Sequence, residues 1–245
     1  MGTTGRIMGT LASRRKAELA KLDLGQPERS TLNDQVYADL RRLIISGRMR
    51  PGQAISIRTI ASVINVSPMP VRHALQRLVT EGALEVKPNR TFAVPVLTPE
   101  DFREIADLRA LLEGLAAERA ATRLRKADVA ALTEINRQMF QTPDSDWEKY
   151  LDLNRQFHFR IYGAADMPRL LRFIESLWLQ IGPLLNLVTT NDELRFGQGA
   201  HEAALSAIVA KDGAGARAAV QRDILDAARV IVEGLRQGEY HTQVP

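Results

Sequence analysis

The stretch Ser56-Ile57-Arg58-Thr59-Ile60-Ala61-Ser62-Val63-Ile64-Asn65-Val66-Ser67-Pro68-Met69-Pro70-Val71-Arg72-His73-Ala74-Leu75-Gln76-Arg77-Leu78 decides how this chain is read. Ile57, Ile60, Ala61 and Ile64 recur at helical spacing and give the apolar stripe of a short helix. Asn65 then supplies one of the few non-glycine side chains that tolerate a left-handed turn. Ser67 is a good N-cap and Pro68 falls at the first helical position, where a missing N–H costs nothing. Pro70 still lies in the first turn, so the two prolines start a helix instead of breaking one. Two helices joined by a tight turn make a helix-turn-helix. The second helix packs through Val71, Ala74, Leu75, Leu78 and Val79. Ser67, Met69, Arg72, His73 and Gln76 are left on its exposed N-terminal side, where such a helix reads base edges.

Upstream, Thr31 with Asp34 forms a capping-box pattern, and Leu32, Val36, Leu40, Leu43 and Ile44 share one helical face. Gly47 ends that helix and Pro51-Gly52 turns into the motif. Arg41, Arg42, Arg48 and Arg50 sit near the helix C-terminus, where cations suit the macrodipole and also meet phosphates. Downstream, Glu81-Gly82 stops the reading helix. Leu84-Glu85-Val86-Lys87 and Thr91-Phe92-Ala93-Val94 then alternate around Pro88-Asn89-Arg90, a β-hairpin with a basic tip. A hairpin directly after a helix-turn-helix is a wing, and Lys87 and Arg90 would reach the DNA backbone or minor groove. Residues 1–29 are rich in Gly, Arg and Lys with little apolar periodicity and read as a disordered extension, with room for a short helix around Leu11 to Leu22.

Pro95 and Thr98-Pro99-Glu100 separate the winged module, residues 30–97, from residues 98–240. Thr98 caps a long helix with Pro99 at its first position and Glu100 and Asp101 in its first turn. Further helices are expected at about Lys126 to Gln141, Ser145 to Tyr162, Pro168 to Val188, Asp192 to Lys211 and Ala214 to Gln237. No convincing strand and no tandem repeat follow residue 98. The fold class is therefore mainly α: an N-terminal winged helix-turn-helix domain followed by an all-α bundle of about six helices.

The 245 residues are 45% hydrophobic and 25% charged, an ordinary globular balance. There is no cysteine, which excludes disulfides and thiolate metal sites. No apolar run is long enough to span a membrane and the N-terminus lacks a secretory pattern, so a cytoplasmic location is expected. The net charge of +4 is unevenly divided. Residues 1–97 hold 15 basic against 7 acidic side chains, while residues 98–245 hold 18 against 22. The basic half carries the helix-turn-helix, which is where phosphate attraction is needed.

In the second half, Asn154 and His158 share a helical face with Leu151 and Ile161. His201 lines up with Leu194, Leu205 and Ile208, and Asp223 with Ala219, Val220, Ala227 and Val230. A single histidine on an apolar stripe is usually a satisfied core residue, and a lone ionised Asp there would be costly. Four such groups converging in one bundle core are better explained by a metal or a polar ligand pocket. Arg109 is in line with Ile105, Leu112 and Ala116. It either pairs with Glu113 one turn away or clamps an effector carboxylate or phosphate. Trp147, Tyr150, Phe157 and Trp178 read as core.

The helix leading into Ile45-Ser46-Gly47-Arg48-Met49-Arg50-Pro51-Gly52, followed by Ser67 to Leu75 with its Pro-Val-Arg-x-Ala-Leu core, resembles the N-terminal signature of the GntR family of bacterial transcription regulators. The second half is similar to the FadR-like ligand-binding (FCD) domain. Its cues are Arg109-Ala110-Leu111-Leu112-Glu113, Asn154-Arg155-Gln156-Phe157-His158 and His201-Glu202-Ala203-Ala204-Leu205-Ser206-Ala207-Ile208. The resemblance implies a sequence-specific regulator that binds double-stranded DNA as a homodimer on a pseudo-palindromic operator and responds to a small organic acid. Arg58 and Arg72 match the family's DNA-contacting arginines, whereas Pro68 stands where relatives commonly carry another. Many relatives hold a divalent metal through Asp-x-x-x-His and two later histidines, and those four places here read Asn154, His158, His201 and Asp223. The expectation is Zn²⁺, or alternatively Ni²⁺ or Mn²⁺, on His158, His201 and Asp223, with Asn154 as a weaker fourth ligand. The rival is a metal-free pocket in which Asp223 meets a protonated histidine. A metal-dependent hydrolase and a constitutive DNA-architectural protein are the other functional classes.

Overall fold

A computed structural model describes residues 32–185 and 196–238. The expected Thr31 cap, the N-terminal extension, Val188 and the start of the segment from Asp192 lie outside the described residues. Chain order begins with α1 (Leu32–Ile45), β1 (Ala54–Ile55), α2 (Ile57–Val63), α3 (Pro68–Thr80), β2 (Glu85–Val86) and β3 (Phe92–Ala93). The bundle follows as α4 (Pro99–Ala121), α5 (Lys126–Gln141), α6 (Trp147–Ala164), α7 (Pro168–Ile181), α8 (Phe196–Val209) and α9 (Gly213–Gln237). The six bundle helices fall where the periodicity puts them, and no strand occurs there among the described residues.

Local chemistry sets the boundaries. Ser56 caps α2 by accepting from the Thr59 N–H at 3.2 Å. Asn65 takes the left-handed conformation, φ 54°, that the turn requires. Ser67 is the N-cap of α3 with Pro68 at the first position, although its hydroxyl makes no capping bond. Thr98 and Asp101 form a full capping box at the start of α4.

The head core gathers Val36, Leu40 and Ile44 of α1, Ala61 of α2, and Val71, Ala74, Leu75 and Leu78 of α3 against Leu84 and Phe92 of the wing. Three stripe residues depart from expectation: Leu32, Leu43 and Ile64 are 47%, 36% and 39% exposed. Ile45 and Met49 are buried in the core with α1's Ile44. The wing also has a strand that the sequence does not announce. β1 pairs antiparallel with β3 through Ala54–Ala93 and Ile55–Phe92, giving the order β1-β3-β2.

The second core lies among α4 to α9, with Phe102, Phe157, Ile161, Tyr162, Ile174, Trp178, Ile208 and Ile224 buried. Trp147 and Tyr150 are half-buried against it. α7 belongs to both cores: Trp178 is in the bundle, while Leu179, 1% exposed, is in the head. On its head-facing side Ser176 Oγ donates to the Glu81 carbonyl at 3.0 Å and Gln180 Nε2 to the same oxygen at 3.4 Å. Arg41 pairs with Glu175 at 3.3 Å. No described helix is long and apolar enough to cross a membrane.

Candidate DNA-reading surface and buried His-His-Asp site

The start of α3 presents Ser67, Met69, Arg72 and His73 to solvent, while Val71, Ala74 and Leu75 fix its opposite face. Arg58 is exposed at the first turn of α2, and Arg90 sits at the wing tip with a left-handed φ of 62°. That conformation is set by the turn, where Asn89 Oδ1 accepts from the Thr91 N–H and Arg90 N–H donates to the Lys87 carbonyl. Most arginines of the described chain are ion-paired, but Arg58, Arg72 and Arg90 have no acidic partner among the described residues. Exposed guanidiniums without an acidic partner are of the kind that phosphates and base edges engage. Lys87 differs, because its ammonium pairs with Glu85 at 2.5 Å.

In the bundle, α6 contributes His158, α8 contributes His201 and α9 contributes Asp223. His158 Nε2 lies 3.2 Å from His201 Nε2 and 3.2 Å from Asp223 Oδ2, and His201 Nε2 is 3.4 Å from Asp223 Oδ1. Both histidines are 2% exposed. His201 stacks on Phe157 with ring centres 4.4 Å apart, and His158 packs against Trp178.

The outer hydrogen bonds fix the tautomers. Tyr162 donates its hydroxyl proton to Glu113 Oε2 at 2.6 Å, so the bond of 2.9 Å to His158 Nδ1 must be donated by the imidazole. His201 Nδ1 likewise donates to Asn136 Oδ1 at 3.2 Å. In each neutral ring the proton is then on Nδ1, and the Nε2 lone pair faces inward. With both rings neutral, two lone pairs and a carboxylate meet with no donor between them, which is unfavourable unless a metal cation or an added proton sits there. A first-row cation with bonds of about 2.0–2.1 Å in tetrahedral geometry sets its ligand atoms roughly 3.3 Å apart, so the donor set fits one.

Burial raises the Asp223 carboxyl, whereas positive charge and N–H donation from His201 and His158, when those rings carry a proton toward it, hold it far below the usual carboxylate range. Burial pushes His201 below its ordinary value against the pull of Asp223, which favours the neutral ligand form. Burial and the Glu113 carboxylate keep Tyr162 protonated well above the ordinary tyrosine range.

Two of the candidate site residues stand apart from the His158, His201 and Asp223 cluster. Asn154 is half-buried one turn before His158 and makes no hydrogen bond to the cluster among the described residues; the amide that reaches it is Asn136. Arg109 is not an open clamp: its Nε and Nη2 donate to Glu113 at 2.7 and 3.3 Å, with both side chains buried, and it lies over the Trp178 ring. Tyr162 and Asn136, which the sequence reading did not single out, thus contact the two imidazoles, and Glu113 is the partner that reading offered for Arg109. Tyr162 follows His158 by four residues, as Glu113 follows Arg109, so a helical signal existed for both. Asn136 carries none, because it comes from a different helix.

A winged helix-turn-helix with unpaired arginines on its reading surface, joined to a helical domain with a buried polar site, defines a DNA-binding transcription regulator. Residues 32–94 match the bacterial regulatory proteins of the gntR family and residues 104–226 match the FCD domain. The chain is 34% identical over 197 residues to the HTH-type transcriptional regulator McbR of Escherichia coli strain K12, spanning 79% of this chain and 89% of that protein. The solved structure of E. coli McbR/YncC has a TM-score of 0.75 at 31% identity and covers 85% of this chain and 99% of that one. A GntR regulator from Rhodococcus sp. RHA1, at 23% identity and TM-score 0.68 over 82% and 97% of the two chains, shares the fold. The chain belongs to the GntR family and carries an FCD second domain. These relatives are transcription regulators, so the hydrolase reading is set aside.

Proposed function

We propose that this regulator binds a two-fold operator as a homodimer and that its operator affinity responds to a small anionic effector taken up beside a divalent metal in the bundle. The metal rests on one observation above all: the inward Nε2 atoms of His158 and His201 and the Asp223 carboxylate oxygens lie 3.2–3.4 Å from one another. Asn136 and the Tyr162-Glu113-Arg109 chain orient the two rings, as outer partners of metal-bound imidazoles do. A bound metal would supply a Lewis-acidic position for a carboxylate oxygen of the effector. Two imidazoles and one carboxylate suit Zn²⁺ or Ni²⁺.

Coupling to DNA runs through α7 as well as through the short connection from Val94 to Thr98. Trp178 packs on His158 and Arg109 in the bundle, while Ser176, Leu179 and Gln180 hold the C-terminal end of the reading helix and its core. A ligand that shifts Trp178 therefore shifts the support of α3, and it alters operator affinity in proportion to its preference between the two arrangements. The dimer follows from the reading helix, which covers only a few base pairs and needs a symmetry mate to specify a site.

The test combines elemental analysis of unchelated protein with operator binding by the metal-loaded and chelated forms across a panel of small organic acids. Stoichiometric metal, and an acid that changes operator affinity only when metal is present, is the expected result. Absence of metal after supplementation would assign the cluster to a protonated histidine pair with Asp223. Acids that bind without changing operator affinity would refute the coupling.

A further inference from the structure

We propose that the cleft where α1, the C-terminal end of α3 and α7 meet is a second ligand site, one that takes a small multivalent phosphate-bearing anion. The cleft has a volume of about 560 Å³, and its lining includes Arg41, Arg77, Arg169 and Arg172 against two acids, Glu81 and Glu175. Both acids are already engaged: Glu175 by Arg41 at 3.3 Å, and Glu81 by Arg77 at 3.2 Å and by the Tyr37 hydroxyl at 2.7 Å. Arg169 and Arg172 have no hydrogen-bond or ion-pair acceptor among the described residues.

Both are exposed, and their position is mildly unfavourable in the free protein. They stand three residues apart at the start of α7, whose first turn contains no acidic residue and whose N-cap, Met167, makes no capping bond. Cations at that end oppose the positive pole of the helix, and like charges one turn apart repel. An anion in the cleft reverses both effects. The guanidinium fork fits phosphate oxygens in pairs, which favours phosphate over a compact halide. Arg77 is pre-oriented, its guanidinium carbon resting 3.7 Å above the Tyr37 ring. Phe173 is 65% exposed on the same lining and offers an apolar face to the organic part of such a ligand.

The three walls come from the first head helix, the reading helix and α7, which also grips the Glu81 carbonyl. An anion bridging them fastens the head to the bundle, a regulatory input at a different place from the metal and effector of the core.

Titration calorimetry of the full chain with inorganic pyrophosphate, at about 0.15 M salt where long-range attraction is screened, tests this. Saturable binding of one pyrophosphate per chain is expected, weakened about tenfold or more in Arg169→Ala/Arg172→Ala, since each lost charge-assisted contact has at least that effect. Arg169→Lys/Arg172→Lys keeps the charge and the fold but loses the fork, and is expected to fall between. Gly163→Ala, a change inside α6 where an added Cβ meets nothing within 4 Å, should leave pyrophosphate binding unchanged. Absence of saturable binding, or equal binding by the double alanine variant, would overturn the assignment. So would a double variant that loses affinity for non-operator duplex in a protein that does not take up pyrophosphate, because the arginines would then be a DNA contact.

Discussion

Gly182 ends α7 where that helix abuts α1, and its replacement by alanine gives a sharp test of the seam between head and bundle. A Cβ at this position would lie 2.5 Å from the Ile44 carbonyl oxygen and 2.7 Å from Ile45 Cα. Both are backbone atoms of α1, so the clash is relieved only by moving one helix away from the other by most of an ångström. Overpacking of this kind costs about 1–3 kcal/mol. For a chain of this size each kcal/mol corresponds to about 2–4 °C, so Gly182→Ala should lower Tm by roughly 2–12 °C. Gly163 is the internal control, because a Cβ there would meet nothing within 4 Å and the residue lies inside α6. Gly163→Ala should gain about 0.5–1 kcal/mol from helix propensity and raise Tm by roughly 1–4 °C. Thermal melts of both variants, with operator affinity measured beside them, provide the assay. The displaced α7 should change operator affinity in Gly182→Ala and leave it unchanged in Gly163→Ala. Equal melting shifts in the two variants, or a Gly182→Ala protein with parental stability and DNA binding, would refute the idea that α7 is seated on α1.

Asp223→Ala should lose bound metal while Asn154→Ala retains it, and Asn136→Ala or Tyr162→Phe should weaken retention about 10- to 100-fold, all read by elemental analysis and competition with a chelator. Equal retention in Asp223→Ala and Asn154→Ala would count against the ligand set. Arg72→Ala should cost about 1–3 kcal/mol on operator DNA and little on random duplex, whereas Arg90→Ala should weaken both alike and flatten the salt dependence by about one charge. Thr98→Ala should destabilise the start of α4 by about 1 kcal/mol. The Thr98 hydroxyl and then its N–H hold the Asp101 carboxyl below its ordinary value. That contribution is therefore present above the ordinary aspartate pKa and fades as pH falls through the lowered one, so melts of parent and variant should converge in acid.

Much of this molecule is written locally. Ser67-Pro68 and Thr98-Pro99 start helices because capping and proline act within one turn, and Asn65 bends the chain because its own backbone tolerates positive φ. Periodicity likewise turned His158, His201 and Asp223 inward, since the direction of a side chain around its helix axis follows from spacing alone. Spacing does not say which helices face each other or at what height. Asn154 and His158 share a face yet are separated by about 6 Å along the axis, and the packing of α5 against α8 brings Asn136 to His201. The same limit hid the pairing of Ala54 and Ile55 with β3, a two-residue strand whose only signal is its partner. It also hid the exposure of Leu43 and Ile64, whose stripes run past the edge of what their neighbours cover. The double membership of α7, with Trp178 on the His-His-Asp site and Leu179 under the reading helix, was decided by tertiary packing, because two adjacent apolar residues acquire different partners only when two cores close around one helix.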